Sequence, residues 1–483
     1  MNFLNRHYKI ILWLIPVVSL AMHWQVFSKD LVGIHVWRQT QTQTVTDNFY
    51  QEDMNIFRPK INELRTEDRI MRMEFPVMQW IFAVFHKVLG SNVAISRVLT
   101  FILGLFSAWG IFYLCDVIFK NKGLAALGAW TFSFSPVFFY YTVNPLPDNF
   151  ALCCSIWSVG FFFRYTKTQK ISQLVLSALM LCLASLAKLP FIVYGIIVPV
   201  YLLIAVRRAK MDFGKAVMGA ALYLLLMIPA LAWYTAVIPT WEGNGVVAGV
   251  LENSAGFSEI LDIAVHHLIS ALPELLLNYG SVLFFVAGFY FLFKRGKQRH
   301  QYFPLLVSWS IGVLIYFAFE INMIAKVHDY YLFPFLPLIF LIVAYGCWQL
   351  VQTRGWLKYI SFVMLAVLPV TAYLRVNGRW NTEKPGFNAA YYHYKKDIQN
   401  LLPKNAIVVA GNDESHFILL YYLDRTGWAF DNDRLDEGLL TYYTSKGAGY
   451  LFVDSDVDRK EEIKRRLGEK IFEKETLRVY KLK

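Results

Sequence analysis

The sequence predicts a polytopic α-helical membrane protein carrying a small α/β domain at its C-terminal end. Three observations predict it. Hydrophobic residues make up 56% of the 483 and charged residues only 17%, a balance far from that of soluble chains. Apolar windows, each long enough to cross a hydrocarbon core ~30 Å thick, recur from the N-terminus to residue 374. From Arg375 onward the pattern changes to short β-branched runs alternating with helical ones.

The apolar windows fall near 9–27, 98–119, 123–142, 149–165, 170–187, 190–206, 215–237, 277–293, 302–320, 329–348 and 356–374, which gives about eleven spans. The first follows a basic start and lacks a small-residue cleavage site, so it reads as an uncleaved span rather than a removed signal. Short loops on one side carry Arg6 and Lys9, Lys120 and Lys122, Arg164, Lys167 and Lys170, Arg207, Arg208 and Lys210, Lys294 to Arg299, then Arg354 and Lys358. The alternate loops carry little beyond Lys188 and Lys326. This asymmetry places the N-terminus in the cytoplasm and, with an odd span count, the C-terminus outside. The expected setting is a cytoplasmic membrane crossed many times.

Four segments then lie on the outer side: the 28–97 loop, the turn Asn144–Asp148, the 238–276 loop and the turn Lys326–Tyr330. Residues 1–374 form the expected transmembrane domain and 375–483 the outer α/β domain. In the latter, Ala406–Ala410 reads as a buried strand, followed by helices near 414–423 and 434–445. Strand Tyr450–Val453, a charged helix over 459–468 and strands near 470–473 and 477–481 complete it. No glycine-rich phosphate loop occurs there, so no nucleotide site is assigned.

The net charge of +12 does not indicate nucleic-acid binding, because the basic residues sit in short clusters between apolar runs. The five cysteines all fall in apolar segments without a CxxC, which argues against a disulfide framework or a zinc site.

The stretch from Gly33 to Pro76 is out of character with its surroundings. It holds His35-Val36-Trp37-Arg38-Gln39, then Arg58-Pro59-Lys60, then Glu74-Phe75-Pro76. Polar loops on a rigid scaffold are where binding and catalysis concentrate, so this one reads as an active-site loop. Arg38 is the candidate for clamping a phosphate, since a guanidinium can do so through two parallel hydrogen bonds. The bland alternative is an interfacial arginine on lipid headgroups. His35, Gln39, Arg58 and Lys60 around it favour the functional reading, whereas Trp37 alone reads as a belt aromatic. Glu74 stands where the chain re-enters apolar sequence, and a carboxylate there either answers a cation or moves protons.

Two later outer turns can complete a site. Asp148, after a Pro-Leu-Pro turn, reads as a helix N-cap before it reads as catalytic. Lys188 is either a snorkelling lysine or a phosphate contact. His328 and Tyr330 precede Phe333-Pro334, and with Lys326 they can meet an anion on the outer side. HExxH, GxSxG and metal-spaced histidines are absent, and His266-His267 is too weak a pair to count as a ligand motif.

A first span followed by an outer loop that begins H-x-W-R-Q and ends E-F-P resembles the bacterial membrane glycosyltransferases of family 39 and their relatives in the GT-C superfamily. Protein O-mannosyltransferases and lipid A aminoarabinose transferases are better-known members. The resemblance covers residues 5–375 and is most specific at His35–Thr42, Arg58–Ile61 and Glu74–Trp80. Weaker echoes are Ser135-Pro136, Asn144–Asp148, Ala187–Pro190 and His328–Pro334. The chain departs from the pattern in two places. Gly33-Ile34-His35 stands where many relatives have an acid just beyond the first span, and Glu-Phe-Pro replaces a Lys-Pro-Pro turn.

The resemblance implies a polyprenyl-phosphate sugar donor and transfer to a lipid, glycan or protein acceptor on the outer membrane face. With that departure the base is Glu74, His35 or an acid further along the loop. Trp37, Arg38, Gln39, Arg58, Asp148, Lys188, His328 and Tyr330 are then the substrate contacts. No cofactor is implied, and the chemistry is compatible with a divalent metal without requiring one. The alternative is a flippase or transporter of polysaccharide lipids. That function calls for polar residues along several spans, whereas here polarity gathers on one side.

Overall fold

The computed structural model describes residues 3–241, 256–299, 302–326, 328–431 and 434–483. Residues 242–255 of the expected outer loop, and Val327 in the turn ahead of His328, lie outside the described residues. The chain divides into two compact units. One comprises Met1–Phe27, Arg72–Met78 and Arg97–Val376, and the other Ser28–Met71, Gln79–Ser96 and Asn377–Lys483.

The first unit is helical. Six of the described helices are long and apolar enough to cross a membrane: Phe3–Val26, Val93–Phe119, Leu189–Arg207, Phe213–Trp241, Asp329–Val351 and Trp356–Trp380. Helices Ile171–Ala187 and Phe303–Phe319 are apolar but shorter. The chain is a multi-pass membrane protein, with six spans counted by length and composition where the apolar windows suggest about eleven. Part of the difference is local. The expected span 123–142 is broken into α-helices Lys122–Ser133 and Pro136–Tyr141. Pro136 cannot continue the helix before it but suits the first turn of the next. The expected outer loop is helical over Phe257–His266 and continues as a wider π-type turn through His267–Leu276.

Two glycines let a pair of these helices meet backbone to backbone. A Cβ on Gly346 would run into the Phe284 carbonyl, and one on Gly288 into the Ile342 carbonyl. Small residues at such crossings are what helix packing in lipid relies on.

The second unit is built on a five-stranded sheet of order β2-β1-β3-β5-β4. The strands are β1 (Ile407–Gly411), β2 (Gly427–Phe430), β3 (Ala448–Val453), β4 (Leu467–Lys474) and β5 (Leu477–Leu482). β1 pairs in parallel with β2 and β3, while β5 is antiparallel to β3 and β4. Alternation sends Val408, Ala410 and Phe452 into one apolar cluster and Val409, Leu451 and Val453 into the other. The small C-terminal sheet domain expected from the sequence is therefore present. β2 was not expected there: Gly427-Trp428-Ala429-Phe430 is too short to show a period.

This sheet is continued by the segment after the first span. Leu31 and Val36 lie in the first cluster and Leu64 packs against the second. The Leu64 amide donates to the Gly427 carbonyl at 2.9 Å, and the Gly427 amide to the Asn62 carbonyl at 3.0 Å. What reads as one long polar loop contains two helices, α1 (Val36–Gln51) and α2 (Val77–Leu89).

Candidate active site

In the helical unit, charge gathers around Lys188. Lys188 is the residue that joins helix Ile171–Ala187 to the 3-10 turn Leu189–Ile196. Its Nζ is 3.6 Å from Asp148 Oδ1, and 4.7 and 5.6 Å from the ring centres of Tyr331 and Tyr330. Asp148 is buried in the first turn of helix Pro147–Thr168. Leu146 occupies the N-cap, so the capping role expected of Asp148 is not what the structure shows. A carboxylate in a first turn is favoured by the helix dipole.

Glu320, just past helix Phe303–Phe319, is a buried carboxylate on which Lys188 and Asp148 are the acting charges. The apolar run before it hides this residue from a sequence reading. The nearby tyrosines are fixed by hydrogen bonds. Tyr141 donates to Asp329 Oδ1 at 2.5 Å, and Tyr316 donates to the Tyr331 carbonyl at 2.7 Å. His328 Nδ1 donates to the Met323 carbonyl at 3.1 Å, and its ring is 5.6 Å from that of Tyr330. The structure thus brings together Asp148, Lys188, His328 and Tyr330, and adds Glu320, Tyr331, Tyr141 and Asp329.

The Asn144–Asp148 turn is locked from behind. Buried Arg97 donates to the Val143 carbonyl at 2.8 Å and to Asn144 Oδ1 at 2.7 Å. Asn149 donates to the Asn144 carbonyl at 2.9 Å. Glu74 lies in the same unit, on a short stretch held by its backbone. The Phe75 amide donates to the Leu186 carbonyl at 2.9 Å, while Trp241 and Trp233 donate to the Arg72 and Met73 carbonyls. Leu186 is two residues from Lys188.

In the other unit, His35 opens α1 in the left-handed region at φ 56°, a conformation few side chains adopt. Arg38 and Gln39 are buried; Arg38 Nη1 donates to Gln41 Oε1, and Gln39 to the Ile34 carbonyl at 3.0 Å. Trp37 packs partly buried against the sheet cluster. Thr42 and Thr46 return their hydroxyls to the carbonyls four residues back, which lets so polar a helix be buried. Arg58 is exposed and pairs with Asp53 at 3.7 Å.

Two carboxyls of this unit are shifted. Burial pushes Asp47 up to about 7 against hydrogen bonds from Gln43 and Ser91. Burial likewise pushes Glu63 up to about 7, against the charge of Arg65. Among the described residues, no group of three or more His, Cys, Asp or Glu is arranged to hold a metal ion, and the five cysteines are buried and free.

A family model described as dolichyl-phosphate-mannose-protein mannosyltransferase matches residues 74–233, the stretch that carries Glu74, Asp148 and Lys188. No curated protein matches the chain. Among solved structures, ArnT from Cupriavidus metallidurans bound to undecaprenyl phosphate aligns with a TM-score of 0.61 at 12% identity, covering 98% of this chain and 97% of that one. The fold is the GT-C fold. The oligosaccharyltransferase of Archaeoglobus fulgidus in its apo form aligns at 0.60 and 13% identity, covering 95% of this chain and 71% of that one. Arabinofuranosyltransferase AftD from Mycobacteria aligns at 0.57 and 11% identity, covering all of this chain and 40% of that one. The GT-C resemblance expected over residues 5–375 thus holds at the level of the fold, and the family model takes in the E-F-P motif but not H-x-W-R-Q.

Proposed function

We propose that the protein is a membrane glycosyltransferase that moves a sugar from a polyprenyl-phosphate donor to an acceptor hydroxyl on the outer face of the cytoplasmic membrane. The observation that carries this reading is Lys188: a largely shielded ammonium facing the buried carboxylate of Asp148 and two tyrosine rings in the helical unit. The match of residues 74–233 to a mannosyltransferase family and the fold shared with ArnT support it.

In this reaction the acceptor oxygen attacks the anomeric carbon and the bond from that carbon to the phosphate oxygen breaks. The lipid phosphate leaves with the electron pair. Lys188, with His328 and Tyr330 beside it, stabilises the charge growing on that phosphate, the effect that usually dominates such transfers. Asp148 holds Lys188 in place. Glu74 or His35 takes the acceptor proton, a role that typically contributes ~10²–10⁴-fold. Arg38 supplies a guanidinium suited to a phosphate, with Gln39, Trp37 and Arg58 as further substrate contacts. Residues 1–374 act as the transferase domain and 375–483 as an outer domain on the acceptor's side.

The test is incubation of the purified protein in detergent with a polyprenyl-phosphate sugar. Release of free polyprenyl phosphate only when an acceptor is added supports transfer. Movement of the intact lipid across liposomes without bond cleavage overturns it in favour of transport.

A further inference from the structure

The sheet-bearing unit contains an open cleft of about 600 Å³, lined by Tyr50, Gln51, Lys87, Lys404 and Asp424. The volume lies within the ~300–1,000 Å³ usual for small-ligand sites. Each of the five lining side chains carries a polar group, and they come from four separate segments.

Both walls are fixed from behind. Arg425 is buried and gives its guanidinium to backbone carbonyls: Pro403 at 2.9 Å, and Gln399, Leu402 and Asp424 at 2.7 Å each. It thereby ties the segment ending at Lys404 to the turn that carries Asp424. On the opposite wall Asp47 accepts from Gln43 at 2.9 Å and from Ser91 at 3.1 Å, and lies 3.7 Å from His86. The His86 ring meets Tyr50 edge to face at 6.4 Å, and Lys87 sits 4.9 Å over the Tyr50 ring while donating to the Tyr50 carbonyl. Arg425 thus fixes the backbone beneath Lys404 and Asp424, and contacts of His86 and Lys87 fix Tyr50, the support a preorganised site requires.

The lining decides the class of ligand. Two ammonium groups against one carboxylate favour an anion. A bare anion, however, has no use for Asp424, which repels it, or for the Gln51 amide. A carboxylate and an amide are the partners of hydroxyl groups. We propose that this cleft binds an anionic saccharide, with Lys87 and Lys404 on its carboxylate or phosphate and Asp424 and Gln51 on its hydroxyls. The binding stands on the cleft alone; that this saccharide is the acceptor glycan rests on the transfer reaction proposed above.

The test uses the full chain in detergent, with saturation-transfer NMR and titration of trigalacturonic acid, glucose 6-phosphate, maltotriose and inorganic phosphate. At least one of the two acidic saccharides binds, and the neutral trisaccharide binds tenfold more weakly or worse. The double variant Lys87→Ala/Lys404→Ala loses roughly tenfold or more in affinity, as expected when charged hydrogen bonds are removed, with unfolding temperature unchanged. Arg38→Ala, which tests the lipid-phosphate role, keeps the saccharide binding. Inorganic phosphate competing as well as the acidic saccharides would reduce the cleft to an anion patch and overturn the proposal. So would equal binding of maltotriose, no binding of either acid, or binding that survives the double variant. Saccharide binding without any transfer from polyprenyl-phosphate donors overturns the reaction and leaves the cleft standing; transfer without saccharide binding does the reverse.

Discussion

Lys188 and Asp148 form a pair in which the carboxylate is buried and the ammonium largely shielded, and such pairs are far more costly to halve than to remove together. Lys188→Met leaves the Asp148 carboxylate without its ammonium and is expected to destabilise the protein by ~3 kcal/mol. The double variant Lys188→Met/Asp148→Asn recovers part of that loss in thermal unfolding while transfer stays abolished. A double variant no more stable than Lys188→Met would remove the pairing argument. Glu63 gives a second test at this scale. Its carboxyl is raised from 4.5 to about 7 in the folded protein, so between those values the folded state binds more protons than the unfolded one. Its contribution to stability is complete below about pH 4.5 and is lost as pH rises towards 7, a change on the order of 3 kcal/mol. Glu63→Gln flattens that part of the stability–pH curve; an unchanged slope contradicts the assignment. Asp47 acts in the same sense.

Among elements, helices Val282–Arg299 and Leu336–Val351 meet backbone to backbone at Gly288 and Gly346. Neither glycine can accept a side chain unless the helices separate. Gly346→Leu is expected to cost ~1–3 kcal/mol through overpacking, read as a lower unfolding temperature in detergent. Gly355, with open space around it, is the control position for bulk, although its positive φ adds a separate penalty. Apolar windows cover each of the six described helices long and apolar enough to cross a membrane, because burial in lipid leaves a long, uniform signal. They missed the break at Pro136, where two short helices share one apolar run. They also missed α1, because Arg38, Gln39, Gln41 and Gln43 mimic a solvated loop. That helix is buried through hydrogen bonds between its own side chains and backbone, which no hydrophobic period reveals. Glu320 was hidden for the opposite reason, as a charge absorbed into the end of an apolar run. The motifs H-x-W-R-Q and E-F-P were legible, but the grouping of Asp148, Lys188, His328 and Tyr330 needed the fold.

At the scale of the whole molecule, the sheet-bearing unit must lie outside the membrane for the proposed chemistry to use lipid-linked sugars there. The positive-inside asymmetry of the loops predicts the same orientation. All five native cysteines are buried, so a single exposed cysteine introduced as Lys474→Cys reports topology cleanly. A membrane-impermeant maleimide should label it in intact cells. Labelling only after lysis would invert the orientation. Arg38→Ala is expected to abolish transfer while leaving the protein folded, and wild-type transfer from that variant would remove the guanidinium from the account. The central claim is a bond cleavage that depends on the Lys188 ammonium. Its most direct test is polyprenyl phosphate released per enzyme, with acceptor present, by wild type and by the folded Lys188→Met/Asp148→Asn variant. The account predicts release by the wild type and a loss of at least about a hundredfold in the variant, the scale of removing one electrostatic contact in such a site. Equal release by both would contradict it.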